Sequence, residues 1–233
     1  MILPLRRHRD GLHLSLMLAL TFSTGVVDAV GYLGLDRVFT GNMTGNVVIL
    51  GMALTGADGL PVVGPVIALA LFLLGAAIAG RALRDLPAGW WTRSTVLFAV
   101  VSAVLVASAV PLLVVEHPAE PVKLMVTGAL GLAMGIQAGA ARHIGVKDVT
   151  TVVVTSTLVG LAFDSRFASR TDKHPWMRRA GAIALIGAGA GVGALLLRWH
   201  IGAGILTAAL VTVVVTVLGH LGRPGPSGPI DAD

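Results

Sequence analysis

The chain has 233 residues, 55% of them apolar and only 12% charged, with a mean hydropathy of +0.86. A soluble domain carries about 25% charged residues, so a water-exposed globular fold is excluded. The net charge of +5 and pI near 10.7 do not argue for nucleic acid, because the basic residues fall in short segments between apolar runs, where the orientation signals of membrane proteins belong. The lipid bilayer is the expected partner. With no cysteine, disulfide frameworks and thiolate chemistry are absent.

Residues 1–10, with Arg6, Arg7 and Arg9, form a basic N-terminus expected in the cytoplasm. The apolar run that follows is too long for a signal peptide and lacks a small-residue cleavage site, so it reads as a first span. Membrane-length runs cover 12–35, 61–80, 94–115, 123–141, 180–197 and 201–218, against the roughly 20 residues needed to cross a core of about 30 Å. Residues 163–179, with Arg166, Arg170, Lys173, Phe167 and Trp176, are expected along the cytoplasmic interface. Trp90 and Trp91 read as interfacial anchors, and the Gly/Pro-rich residues 221–233 as a disordered tail.

Two apolar segments, 36–54 and 147–162, decide the topology. If both cross, the 17 Lys and Arg residues divide ten inside to seven outside. If both dip in and return, only Arg37, Lys123 and Arg198 lie outside and the other fourteen lie inside. Positive-inside bias selects the second arrangement. The expected fold is therefore an all-α integral membrane protein of six transmembrane helices plus two opposed re-entrant half-helices. Three full crossings per half make the second half (121–220) inverted relative to the first (11–115).

Internal similarity points the same way. Thr44-Gly45-Asn46-Val47-Val48-Ile49-Leu50-Gly51 is echoed by Thr155-Ser156-Thr157-Leu158-Val159-Gly160-Leu161-Ala162. Ile67-Ala68-Leu69 matches Ile183-Ala184-Leu185, and at the same offset Gly75 matches Gly191. Asp28 precedes the first phrase much as Gln137 precedes the second. Paired interruptions in corresponding places of two halves mark the binding sites of transporters.

The candidate site follows from the cost of unpaired backbone in hydrocarbon, which confines non-helical chain to protein-lined or wet surroundings. Thr44 is suited to cap a short helix through Leu54, and Asn42 and Asn46 share one face if the stretch is helical. Half-helices starting mid-membrane would aim N–H groups at the centre. The expected substrate-binding set is Asn42, Thr44, Gly45, Asn46, Thr151, Thr155 and Thr157. Asp28 lies about 24 Å into the first span and must face the interior. It is the expected proton-coupling residue, with uncharged Gln137 as its partner in the other half.

Other motifs carry less. The glycines of Gly187–Gly193 mimic a dinucleotide fingerprint, but no strand precedes them and close helix packing accounts for them. No histidine pair has metal-ligand spacing, no Gly-x-Ser-x-Gly elbow is present, and Asn42-Met43-Thr44 matches a glycosylation pattern at membrane depth, where it is accidental. No cofactor, metal or catalytic residue is expected.

Gly25-Val26-Val27-Asp28-Ala29-Val30-Gly31-Tyr32, followed by Phe39 and Met43-Thr44-Gly45-Asn46-Val47, resembles the signature of the YoaK family, bacterial membrane proteins classed as domain of unknown function 1275. The resemblance runs from about Gly25 to Leu197. It departs from the family pattern at Ala138, where an Asn follows the Gln, and at Ser156, where a Gly stands. It implies a multi-span bacterial inner-membrane protein and supplies no activity. Together these readings give a transport protein for a small polar or anionic solute with both termini cytoplasmic. An intramembrane enzyme and a non-transporting scaffold are the alternatives, and a homo-oligomer is left open.

Overall fold

A computed structural model describes residues 3–57, 59–115, 118–146, 154–163 and 176–223. Within them the chain is helical, with no strand: α1 Leu3–Gly34, α2 Met43–Leu54, α3 Val63–Leu83, α4 Thr92–Val114, α5 Glu120–Ile144, α6 Val154–Phe163, α7 Trp176–Leu197 and α8 Ile201–Leu221. The ends follow local chemistry. Helix α5 opens after an extended Ala119 with Glu120 and a proline in its first turn, where an anion and a missing N–H are both tolerated. It closes with Arg142 and His143 in its last turn and a left-handed Gly145 at φ 73°, a common glycine C-cap.

Six helices are long and apolar enough to cross a membrane: Gly11–Gly34 of α1, and α3, α4, α5, α7 and α8. Helices α2 and α6 have 12 and 10 residues. At 1.5 Å per residue they reach about 18 and 15 Å, half of a core near 30 Å. The spans agree with the sequence reading to within a turn. The tail from 224, the interfacial stretch 164–175 and Thr151 lie outside the described residues.

Burial separates centre from rim. In α1 and α5 72% and 61% of the most apolar window is buried, against 28% in α3 and 17% in α7. Helix α1 packs against α7 and α8, α5 against α3 and α4, and α4 against α8; α2 lies on α3 and α6 on α7. Without a hydrophobic drive between helices in lipid, close approach must come from small residues. At α1–α7, a Cβ on Gly25 would collide with the carbonyl of Ile186, and one on Gly189 with that of Phe22. At α3–α5, Gly135 meets the carbonyl of Phe72 and Gly75 that of Leu132 in the same way.

Two expectations are corrected here. Gly191, matched to Gly75 by sequence, has nothing within 4 Å of its Cβ position, whereas Gly75 and Gly189 each face a carbonyl, those of Leu132 and Phe22. Trp90 is no interfacial anchor but a core residue, 1% exposed. It stacks on Phe98 at 5.1 Å between centroids and donates its indole N–H to Thr95 Oγ1 at 3.0 Å. That partner satisfies the polar end, which is what lets a tryptophan go inside.

Candidate functional site

Helix α1 ends at Gly34, and the chain turns through Asp36 (φ 82°) and Arg37 (φ 57°), left-handed positions that non-glycine residues seldom take. It then runs back along α1, so close that a Cβ on Gly31 would collide with the Val38 carbonyl. The N–H groups of this returning stretch, 39–42, make no helical hydrogen bonds; two side chains, Asp28 and Asn46, accept them, and a third, Asn42, caps the helix that follows.

Asp28 Oδ1 accepts the N–H groups of Thr40 (2.9 Å), Gly41 (2.7 Å) and Asn42 (3.3 Å). Asn46 pairs with Phe39 twice: its Oδ1 accepts the Phe39 N–H at 2.9 Å and its Nδ2 donates to the Phe39 carbonyl at 2.6 Å. Asn42 Oδ1 accepts the Gly45 N–H at 3.3 Å and caps α2. The cap is therefore Asn42 and not Thr44, because the helix starts two residues earlier than a Thr44 cap would have it. Asn42 and Asn46 do not present side chains together; the first lies outside the helix and the second turns back toward Phe39.

Beside this knot lies a cavity of about 450 Å³, within the size range of small-molecule sites. Helix α1 contributes Thr24, Asp28 and Tyr32 to its wall; the returning chain and α2 contribute Phe39, Gly41, Asn42, Thr44, Gly45, Val48 and Ile49. Val154 and Thr155, at the start of α6, and Ile186 of α7 complete it. Ile186 stands about 15 Å along α7 from Trp176, half the depth of the hydrocarbon core. The N-terminal ends of both short helices thus meet one chamber.

Of the expected binding residues, Asn42, Thr44, Gly45 and Thr155 line the cavity. Asn46 is buried and committed to Phe39, and Thr157 is buried without lining the wall. Asp28 is 8% exposed and has no cationic partner, the one ion pair among the described residues being Arg84–Asp85 at the surface. Its Oδ2 makes no hydrogen bond among those residues. Gln137 is buried and does not line the cavity. It donates to Thr24 Oγ1 at 3.2 Å, while Thr24 Oγ1 donates to the Leu20 carbonyl at 2.9 Å; Gln137 Oε1 has no partner among the described residues. The expected site set left out the wall residues Thr24, Tyr32, Phe39, Gly41, Val48, Ile49, Val154 and Ile186. Thr24 and Tyr32 stand one turn either side of Asp28 on α1, a spacing that places all three on one stripe.

Six membrane-length helices, two of which, α1 and α7, wall a chamber together with the short helices α2 and α6, define a multi-pass helical membrane protein. The chain belongs to the family described as "Protein of unknown function (DUF1275)", whose model matches residues 16–218. It is similar to the UPF0700 transmembrane protein YoaK of Bacillus subtilis (strain 168), 34% identical over 191 residues that cover 78% of this chain and 82% of that one. No solved structure matches the chain.

Proposed function

We propose that the protein moves a small polar solute across the bacterial cytoplasmic membrane through this cavity, with Asp28 coupling the movement to a proton. The carrying observation is that the starts of α2 and α6 line one chamber together with a buried carboxylate. A packing scaffold has no use for a 450 Å³ void beside an acid that costs roughly 2.5–3.5 kcal/mol to insert.

The repeat reading has support from packing. Exchanging α1–α4 for α5–α8 turns α1–α7 into α5–α3, α1–α8 into α5–α4 and α2–α3 into α6–α7, all of which pack. One shift carries Gly25 to Gly135 and Ala29 to Gly139; a second carries Ile186 back to Phe72 and Gly193 back to Ala79, and the contacts correspond. On that register Asp28 falls opposite Ala138, and Gln137 is one residue off. The acid then has no polar counterpart in the second half, and Gln137 acts by holding Thr24.

Each short helix is also tied back to the side it came from. Arg37, before α2, donates to the Gly59 carbonyl after it at 3.1 Å. Arg179, near the start of α7, donates to the Gly160 carbonyl in the last turn of α6 at 2.7 Å. Such ties suit two half-helices dipping from opposite faces, both chain termini being cytoplasmic. An anionic solute fits less well than the sequence suggested, because Asp28 already occupies the N–H groups of 40–42. The enzyme alternative gains nothing from the wall, where the Thr24 hydroxyl is spent on a backbone carbonyl.

Accessibility tests this reading. The chain has no cysteine, so Thr44→Cys and Thr155→Cys each carry one thiol. Both should react with a small hydrophilic thiol reagent, from the outer and from the inner side of the membrane. Thiols that stay inert from both sides would mean a lipid-sealed scaffold.

A further inference from the structure

Resting on that reading, we infer that the cavity's ligand is an organic cation, a protonated or alkylated amine that binds Asp28 in exchange for a proton. The geometry gives the two carboxylate oxygens different work. Oδ1 is spent on three backbone N–H groups; Oδ2 makes no hydrogen bond among the described residues, and Asp28 lines the chamber. A carboxylate oxygen is an acceptor alone; no Arg or Lys pairs with it among the described residues, so a ligand cation or a proton is what it can take from the chamber.

The wall next to it is aromatic. Tyr32 and Phe39 stack at 4.8 Å between centroids and 24° between planes, and both line the same chamber. Rings within about 6 Å attract an ammonium group through their negative faces, more strongly where water is excluded. Val48, Ile49, Val154 and Ile186 supply an apolar rest for the body of such a molecule. A bare metal ion fits poorly, since a hard cation demands six or more oxygens and these walls are mostly carbon. The binding step balances as carboxylic acid plus ammonium giving a carboxylate–ammonium pair plus a released proton. Proton and amine then compete for one group, and exchange follows.

Purified full-length protein in detergent is titrated calorimetrically with three probes of similar shape: phenethylammonium, the neutral phenethyl alcohol and the anion 3-phenylpropionate. The expected result is saturable binding of the ammonium alone, weakening about tenfold per pH unit once the carboxyl is protonated. Asp28→Asn should lose at least tenfold in affinity, and Tyr32→Leu, which leaves the hydrogen-bonded loop intact, several-fold. Equal or tighter binding of the alcohol or the anion, blocked by modification of Thr155→Cys, would overturn the cation and leave the transport cavity standing. Ammonium binding that ignores both pH and Tyr32→Leu also overturns the assignment, whether or not Asp28→Asn folds. Failure of all three probes at millimolar concentration rejects it too, and the thiol accessibility of the cavity then judges the transport reading separately.

Discussion

The chain leading into α2 and the start of α6 share a phrase in sequence and a chamber in space, yet they are built differently. The first is a knot in which Asp28, Asn42 and Asn46 satisfy the backbone around Phe39–Asn42. The second presents Val154 and Thr155 to the same cavity. On the proposed repeat, the two halves share their helix packing, and among the described residues the cavity's one acid lies in the first. One half carries the charge; the other contributes hydroxyl and apolar wall.

The sharpest way to break that comparison is Asn46→Leu. It leaves the N–H and carbonyl of Phe39 unpaired at membrane depth, at several kcal/mol each. Loss of monodisperse protein in fluorescence-detected size exclusion is expected, whereas Thr155→Val in the second half should leave thermal stability unchanged within about 0.5 kcal/mol. Equal effects would mean that the two halves bear the same load.

Smaller substitutions sharpen the shared part. Gly25→Ala and Gly135→Ala, which face carbonyls in corresponding helix pairs, should each cost about 1–3 kcal/mol by overpacking. Gly191→Ala, with open space around it, should cost nothing measurable. Thermal unfolding in one detergent compares all three, and a costly Gly191→Ala would undo the proposed register. Topology is a change of label and not of energy. A cysteine at Ala88, between α3 and α4, should resist an impermeant reagent added outside whole cells; labelling there would reverse the inside assignment of that loop.

The spans were legible because hydropathy and length are one-dimensional properties, and each of the six runs carries its own signal. The importance of Asp28 and of the 39–46 stretch was legible for a related reason: polar groups and glycines inside apolar sequence are expensive and stand out. What each polar group does was not. Asn46 looked like a ligand residue and is a backbone substitute, since the turn at Asp36 and Arg37 that brings Phe39 to it has no helical or strand period. Trp90 looked interfacial because its burial depends on Thr95 as partner and on Gly219 of α8, whose missing side chain leaves the indole its place. Gln137 was matched to Asp28 by spacing alone, and spacing says nothing of its partner, which is the Thr24 hydroxyl.

The central claim, that Asp28 couples solute movement through the cavity to a proton, is tested most directly in proteoliposomes. Wild-type protein and Asp28→Asn are reconstituted to the same density, and uptake of labelled phenethylammonium is followed across an imposed pH gradient. Asn is nearly isosteric and its oxygen still accepts from the N–H groups of 40–42, so the variant should fold. It cannot exchange a proton. The account predicts gradient-driven uptake in the wild type and none above empty liposomes in Asp28→Asn; gradient-driven uptake of the same size in the well-folded variant would contradict it.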